Sequence, residues 1–255
     1  MLTLVKRELK KYLRAKGWSG PSYRVPGSLD LLLLYALGLH KRLHIIQVGA
    51  YDGVTNDPLR SFIADHVDDL DAVLFEPQIE PFERLRDVYR DHSNIRCVNK
   101  AISPPGVLTF YSVNDRYKTW YRQKTGRDVT GGTNSFFREH VVTRIKRMDV
   151  ADAEVDQYID RRDVEISELL KELAGTSLFH ERTDLLQVDC EGMDDEVIYH
   201  SAIDVLRPRL INFDGKSLAA RSPERLDQLK EFLIAHGYAL SQSTRADIIA
   251  IKIDQ

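Results

Sequence analysis

The rhythm of hydrophobic positions changes near residue 43. Upstream, Leu2, Val5, Leu9 and Leu13 recur at the spacing of one helix face, with Lys6, Arg7, Lys10, Lys11, Arg14 and Lys16 around them and one acid, Glu8. Residues 1–17 therefore predict a short basic helix. A stretch rich in Gly, Pro and Ser follows, and a strongly apolar helix is expected to open at Ser28 or Asp30 and run through Leu39. From His44 onward short apolar runs alternate with amphipathic stretches. Strands are expected at 45–48, 72–75, 95–98, 107–113, 155–164, 185–188 and 210–213, with a closing antiparallel pair at 238–241 and 247–253. Helices are expected at 81–89, 166–173, 194–200 and 223–236, and one starting at Asp57-Pro58, where Asp is a favoured N-cap and Pro suits the first helical position. Residues 114–154 are polar and irregular with helical patches, the pattern of a lid inserted into the domain.

Strands alternating with helices imply a parallel sheet covered on both faces, the doubly wound α/β class. Residues 1–42 then form an N-terminal helical cap and 43–255 the main domain. With 43% hydrophobic and 29% charged residues the chain is long enough for a sizeable core. Lys and Arg number 36 against 39 Asp and Glu, a balance that argues against sequence-independent nucleic-acid binding. Cys97 and Cys190 have no CxxC or zinc-ligand spacing, so a disulfide framework and a structural zinc site are not expected. The longest apolar run, 31–39, is about half of what crosses a bilayer, and no cleavage pattern marks it as a signal peptide. A cytoplasmic protein is expected. The basic leader has two readings: docking to an anionic membrane or partner, or covering the domain edge with its lysines in water.

Ligands of such sheets bind beyond the carboxyl ends of the strands. The first such loop is Gly49-Ala50-Tyr51-Asp52-Gly53. A dinucleotide needs the G-x-G-x-x-G pattern, and Tyr51 and Val54 occupy its second and third glycine positions. Asp52 adds a carboxylate where a phosphate would sit, which disfavours a nicotinamide-dependent oxidoreductase. A cofactor with a ribose and positive charge, such as S-adenosylmethionine, suits the loop better; the bland reading is a tight turn with Asp52 capping it. Glu76 ends the second strand, where a carboxylate can accept hydrogen bonds from a ribose diol. Its alternative is an acid capping the helix after Pro77. Asp189 and Glu191 stand two apart just before Gly192, so both point to one side of a strand end. They are the candidates to orient or deprotonate an acceptor, Asp189 first, with a structural capping role as the alternative. Asp189 with Asn212 or Asp214 also offers oxygen ligands for a divalent cation, although a metal is not expected. In the lid, Tyr117, Trp120 and Tyr121 among basic residues can stack on an acceptor or pack the lid itself. The histidines lack ligand spacing; His140 and His180 are the least improbable bases.

These segments resemble the FkbM-type S-adenosylmethionine-dependent methyltransferases. The resemblance rests on Ile46 to Gly53, Asn56-Asp57-Pro58-Leu59, Leu74-Phe75-Glu76-Pro77-Gln78, Val98 to Ser103 and Leu185 to Asp194, and it spans about residues 43–255. It implies a Rossmann-like class I fold with a mostly parallel seven-stranded sheet, S-adenosylmethionine as cofactor, and O-methylation of a sugar, glycan or other natural product. The expected cofactor residues are Gln47, Gly49, Ala50, Tyr51, Asp52, Gly53, Glu76, Pro77, Ala101 and Asp189; the expected catalytic residues are Asp189 and Glu191. Two departures stand out. Gln47 replaces an acid found in many class I methyltransferases, and Gly215 stands after Asp214 where the family tends to have His. The second keeps open a non-catalytic protein of the same fold that binds the cofactor as an interaction or regulatory subunit.

Overall fold

The computed structural model describes residues 28–103, 108–129, 131–176, 178 and 182–253; the basic helix expected over 1–17, and His180, lie outside them. In chain order the elements of the first half are α1 (Ser28–His40), β1 (Leu43–Val48), α2 (Arg60–His66), β2 (Leu70–Phe75), α3 (Ile79–Tyr89), β3 (Ile95–Val98), β4 (Ala101–Ile102) and β5 (Leu108–Val113). An inserted unit follows with α4 (Asp115–Thr125) and α5 (Arg138–Lys146), and β6 (Ile159–Val164) closes it by pairing antiparallel with β5. The remainder is β7 (Ile166–Ser167), α6 (Leu169–Leu173), β8 (Leu185–Val188), α7 (Asp194–Tyr199), α8 (Ile203–Leu206), β9 (Leu210–Asp214), α9 (Gly215–Arg221), α10 (Pro223–Ala235), β10 (Tyr238–Gln242) and β11 (Asp247–Lys252).

Seven of these strands form one sheet in the order β10-β11-β9-β8-β1-β2-β3. All pairings are parallel except those of β11, which runs antiparallel to both β9 and β10. Residue parity along the strands builds the layers, because successive side chains point to opposite faces. Ile46, Val48, Val73, Phe75, Leu186, Val188, Ile211 and Phe213 face one core with Leu169, Val197, Leu218 and Leu229 from the helices. Leu43, Ile45, Leu70, Leu74, Leu185 and Leu210 face the other, covered by Leu29 and Leu33 of α1, Ile63 of α2 and Leu85 of α3. Burial on both faces explains why these strands read as continuous apolar runs.

Three expected elements differ. Residues 152–158 form a 3-10 helix rather than the start of a strand, with Val155 and Tyr158 turned into the core of the insertion. The helix expected over 166–173 splits into β7, which pairs with β4, and the short α6. The helix expected from Asp57 begins at Arg60. Asp57 nevertheless behaves as a turn cap, its Oδ1 accepting from the Leu59 N–H at 2.8 Å. The insertion has a core of its own, made by Val113, Tyr117, Val141, Ile145 and Val155.

Candidate active site

The carboxyl ends of β1, β2 and β8 converge because Gly49 lets them. Its φ of 85° lies in the left-handed region, and a Cβ there would run into the Asp189 carbonyl oxygen. Glycine meets both demands. The N–H groups of Gly49 and Ala50 donate to the Phe75 carbonyl at 3.0 and 2.9 Å, pinning the first loop to the end of β2. Glu76 is the next residue and is 3% exposed. Its Oε2 accepts from the Tyr51 N–H at 2.9 Å and its Oε1 from the Gln78 N–H at 2.8 Å. A carboxylate has about four acceptor positions, so each oxygen keeps room for another donor. Burial pushes this carboxyl up to about 7, and the two N–H donors offset only part of that.

A cavity of about 330 Å³ opens here. Of the residues singled out from sequence, Gln47, Gly49, Ala50, Tyr51, Glu76, Pro77, Ala101, Asp189 and Glu191 line it; Asp52 and Gly53 do not. Asp52 caps its own turn, accepting from the Val54 N–H at 3.0 Å, the Thr55 N–H at 2.7 Å and the Thr55 hydroxyl at 2.8 Å. Gly53 packs under α3, where a Cβ would lie 2.7 Å from Leu85 Cδ1. The loop carboxylate that lines the cavity is instead Asp57, whose place before Pro58 points to a cap.

Asp189 and Glu191 enter from the turn after β8. Burial pushes the Asp189 carboxyl well above the carboxylate range, reinforced by the charges of Asp194, Glu191, Asp214 and Asp247. Glu191 is pushed up to about 7, again chiefly by burial, with Arg144 opposing and Asp214 adding. Its backbone is left-handed at φ 50°, a costly conformation for a residue with a Cβ and one that clusters at functional sites. Asp194, buried behind them, is raised to about 8 by burial and by Asp214. Apart from Glu191, which faces Arg144 and His140, these acids have no cation within ion-pair distance among the described residues, which favours a ligand that brings positive charge.

The insertion closes over these groups. Ser135 donates from its hydroxyl to the Glu191 carbonyl at 3.2 Å, and Asn134 donates to Gln78 Oε1 at 2.8 Å. A Cβ on Gly131 would lie 2.8 Å from the Tyr51 ring, and one on Gly132 would lie 2.6 Å from Glu191 Oε1. The glycine pair therefore permits the lid to rest on the site. From α5, His140 Nε2 stands 3.8 Å and Arg144 Nη2 3.9 Å from Glu191 Oε2. Burial lowers the His140 pKa, with Arg144 and Arg147 adding to the effect. Arg144 and the Gly131-Gly132 contact were not legible in sequence, since nothing local distinguishes them from other lid residues.

Other expectations find different outcomes. Tyr117 is buried in the core of the insertion with Trp120 and Tyr121 packed beside it, and none of the three lines the cavity. Asn212 is committed to Gln187 and Ser243 at 2.9 and 3.0 Å, and Asp214 Oδ1 caps α9 through Lys216 and Ser217. Among the described residues no group of His, Cys, Asp and Glu could hold a metal ion. A Cβ on Gly215 would lie 2.6 Å from Ile248 Cδ1, so a side chain there would displace the end of Ile248.

Comparison with known proteins adds the following. A family profile described as the methyltransferase FkbM domain matches residues 47–240. No curated protein sequence matches. Among solved structures, a putative caffeoyl-CoA O-methyltransferase from Staphylococcus aureus is 10% identical, with 97% of this chain and 91% of that one covered at a TM-score of 0.47. The methyltransferase PaMTH1 of Podospora anserina, solved with S-adenosylhomocysteine, is 9% identical over 89% and 78% of the two chains at 0.46. An O-methyltransferase from Bacillus cereus is 10% identical over 96% and 90% at 0.41. At these identities no residue role or acceptor is carried over from them.

Proposed function

The chain belongs to the FkbM methyltransferase family, and on that premise we propose that it methylates a hydroxyl group on a sugar, glycan or other natural product. S-adenosylmethionine is the methyl donor, and when bound it supplies an electrophilic methyl on a sulfonium. The carrying observation is that Glu76 and the two acids after β8 line one cavity under a lid. Glu76 would take the ribose diol through the acceptor capacity left on its two oxygens, with Pro77 and Ala101 forming the slot for the base.

On the acceptor side, Asp189 would orient the hydroxyl and take its proton as the oxygen bonds to the methyl carbon. Glu191 is the second acid, placed where the lid, His140 and Arg144 meet. Positioning contributes much of the rate in an in-line displacement, and a base is needed because a neutral hydroxyl is a weak nucleophile. Lid closure over Glu191 would exclude water and hold the acceptor. The acceptor is read as a small molecule or carbohydrate, and the cytoplasm as the place of the reaction. Among the described residues no helix is long and apolar enough to cross a membrane. The second reading, a cofactor-binding subunit without activity, is favoured by one observation, the glycine at position 215, which leaves no imidazole after Asp214. Incubation with methyl-labelled S-adenosylmethionine and a fractionated cell extract separates the two. Label in a small or carbohydrate acceptor supports transfer; bound cofactor with no labelled product in any fraction supports the subunit reading.

A further inference from the structure

The loop between β1 and α2 carries two acids, and they have opposite fates. Asp52 accepts three hydrogen bonds within its own turn and faces Arg84 at 3.9 Å. Asp57 lines the cavity, as does Gln47 from the end of β1. Gln47 Nε2 donates to Asp57 Oδ1 at 3.1 Å, and the Leu59 N–H donates to the same oxygen at 2.8 Å. The partners' other oxygens, Gln47 Oε1 and Asp57 Oδ2, are buried and accept no hydrogen bond. Gln47 is only 2% exposed. Asp57 has no ion pair among the described residues, and Arg60 acts on it only from beyond ion-pair distance.

Bare acceptors in a protein interior are costly, and a carboxylate without a cation more so. Burial accordingly pushes the Asp57 carboxyl up. A water donates to both oxygens but leaves the Asp57 charge unpaired; an ammonium supplies several N–H donors and that countercharge together. S-adenosylmethionine carries one at its amino-acid end. We propose that the Gln47–Asp57 pair receives the α-ammonium of the cofactor, with the negative charge delivered by Asp57 while Gln47, standing at the end of β1, tethers it. This inference rests on the cofactor reading and assigns Asp57 a positioning role in it. It also accounts for an uncharged residue at position 47, since a second carboxylate there would face Asp57 directly.

The test compares two thioethers that differ only in the amino-acid end. S-adenosylhomocysteine has the ammonium; 5′-methylthioadenosine keeps the adenosine and sulfur and lacks it. By calorimetry, Asp57→Asn is expected to weaken S-adenosylhomocysteine by about 10–100-fold, the worth of a hydrogen bond to a charged group. The same variant should hold 5′-methylthioadenosine within about twofold, which also reports that it is folded. Gln47→Met, which removes one bare oxygen and the tether, is expected to give the same selectivity with a smaller loss of about 3–10-fold. Equal losses for both ligands, or no loss for S-adenosylhomocysteine, would overturn the assignment and leave the pair as a brace for the loop. Failure of the unmodified protein to bind either ligand would contradict the cofactor reading itself.

Discussion

Asp189 and Glu191 divide the acceptor side by their surroundings. The Asp189 N–H donates to the Val48 carbonyl at 3.0 Å, beside Gly49, and Glu191 sits against the lid and α5. Replacing Asp189 by Asn keeps the shape and removes the base. Steady-state assays should show turnover reduced by about 10²–10⁴-fold, the usual worth of a general base, with cofactor affinity nearly unchanged. Turnover at the wild-type level would remove Asp189 from that role. Glu191→Gln should instead alter the acidic limb of the pH–rate profile, because a carboxyl raised to about 7 loses its negative charge as pH falls through that value. Much of this was legible at single positions: a glycine turn, then an acid ending β2, then two acids after β8. Asp57 was not, because an Asp before Pro satisfies a capping rule so well that no second role suggests itself. Asp52 misled for the complementary reason, since its position in the glycine loop suggests a ligand while its side chain spends its acceptors on Val54 and Thr55.

At the level of elements, the strands were readable because burial on both faces makes continuous apolar runs, and α10 because Ser222 and Pro223 mark its start. The insertion was not. Its core forms between residues far apart in sequence, such as Val113 and Val155, so the local pattern showed aromatics without showing that they face one another. The lid contact gives an element-scale prediction. Gly132→Ala places a methyl 2.6 Å from Glu191 Oε1, and the Glu191 carboxylate should be displaced from its place against the lid. An increase of roughly tenfold in the acceptor KM is expected, with little change in Tm because the insertion keeps its own core. A wild-type KM would mean that the glycine pair is incidental. Gly38 provides the contrast: nothing lies within 4 Å of a Cβ there, and it sits on α1. Gly38→Ala should therefore stabilise by about 0.5–1 kcal/mol, read as a Tm rise of a few degrees.

Across the whole molecule, the acids concentrated at one end of the sheet couple ligand binding to pH. Burial raises Glu76 and Glu191 to about 7 and Asp194 to about 8. Unfolded carboxyls titrate near 4, so between these values the folded protein holds more protons than the unfolded chain. The stability these groups confer is complete below the unfolded pKa and is lost as pH rises through the folded values. The ligand-free protein should thus melt at a lower temperature near pH 8 than near pH 6. A cationic ligand favours the ionised acids, so its stabilising effect should grow over the same interval. Melting curves at the two pH values with and without the donor check both signs. The central claim, that the cavity is built for an adenosyl group held by Glu76, has a direct test in the same instrument. With S-adenosylmethionine or S-adenosylhomocysteine at about 100 times its Kd, the protein should gain about 2.7 kcal/mol, a Tm rise of roughly 5–10 °C. NAD should give none, and Glu76→Gln, which sets an amide donor against the Tyr51 or Gln78 N–H, should lose most of the rise. A flat response to both adenosyl ligands, or an equal response in Glu76→Gln, would contradict the account.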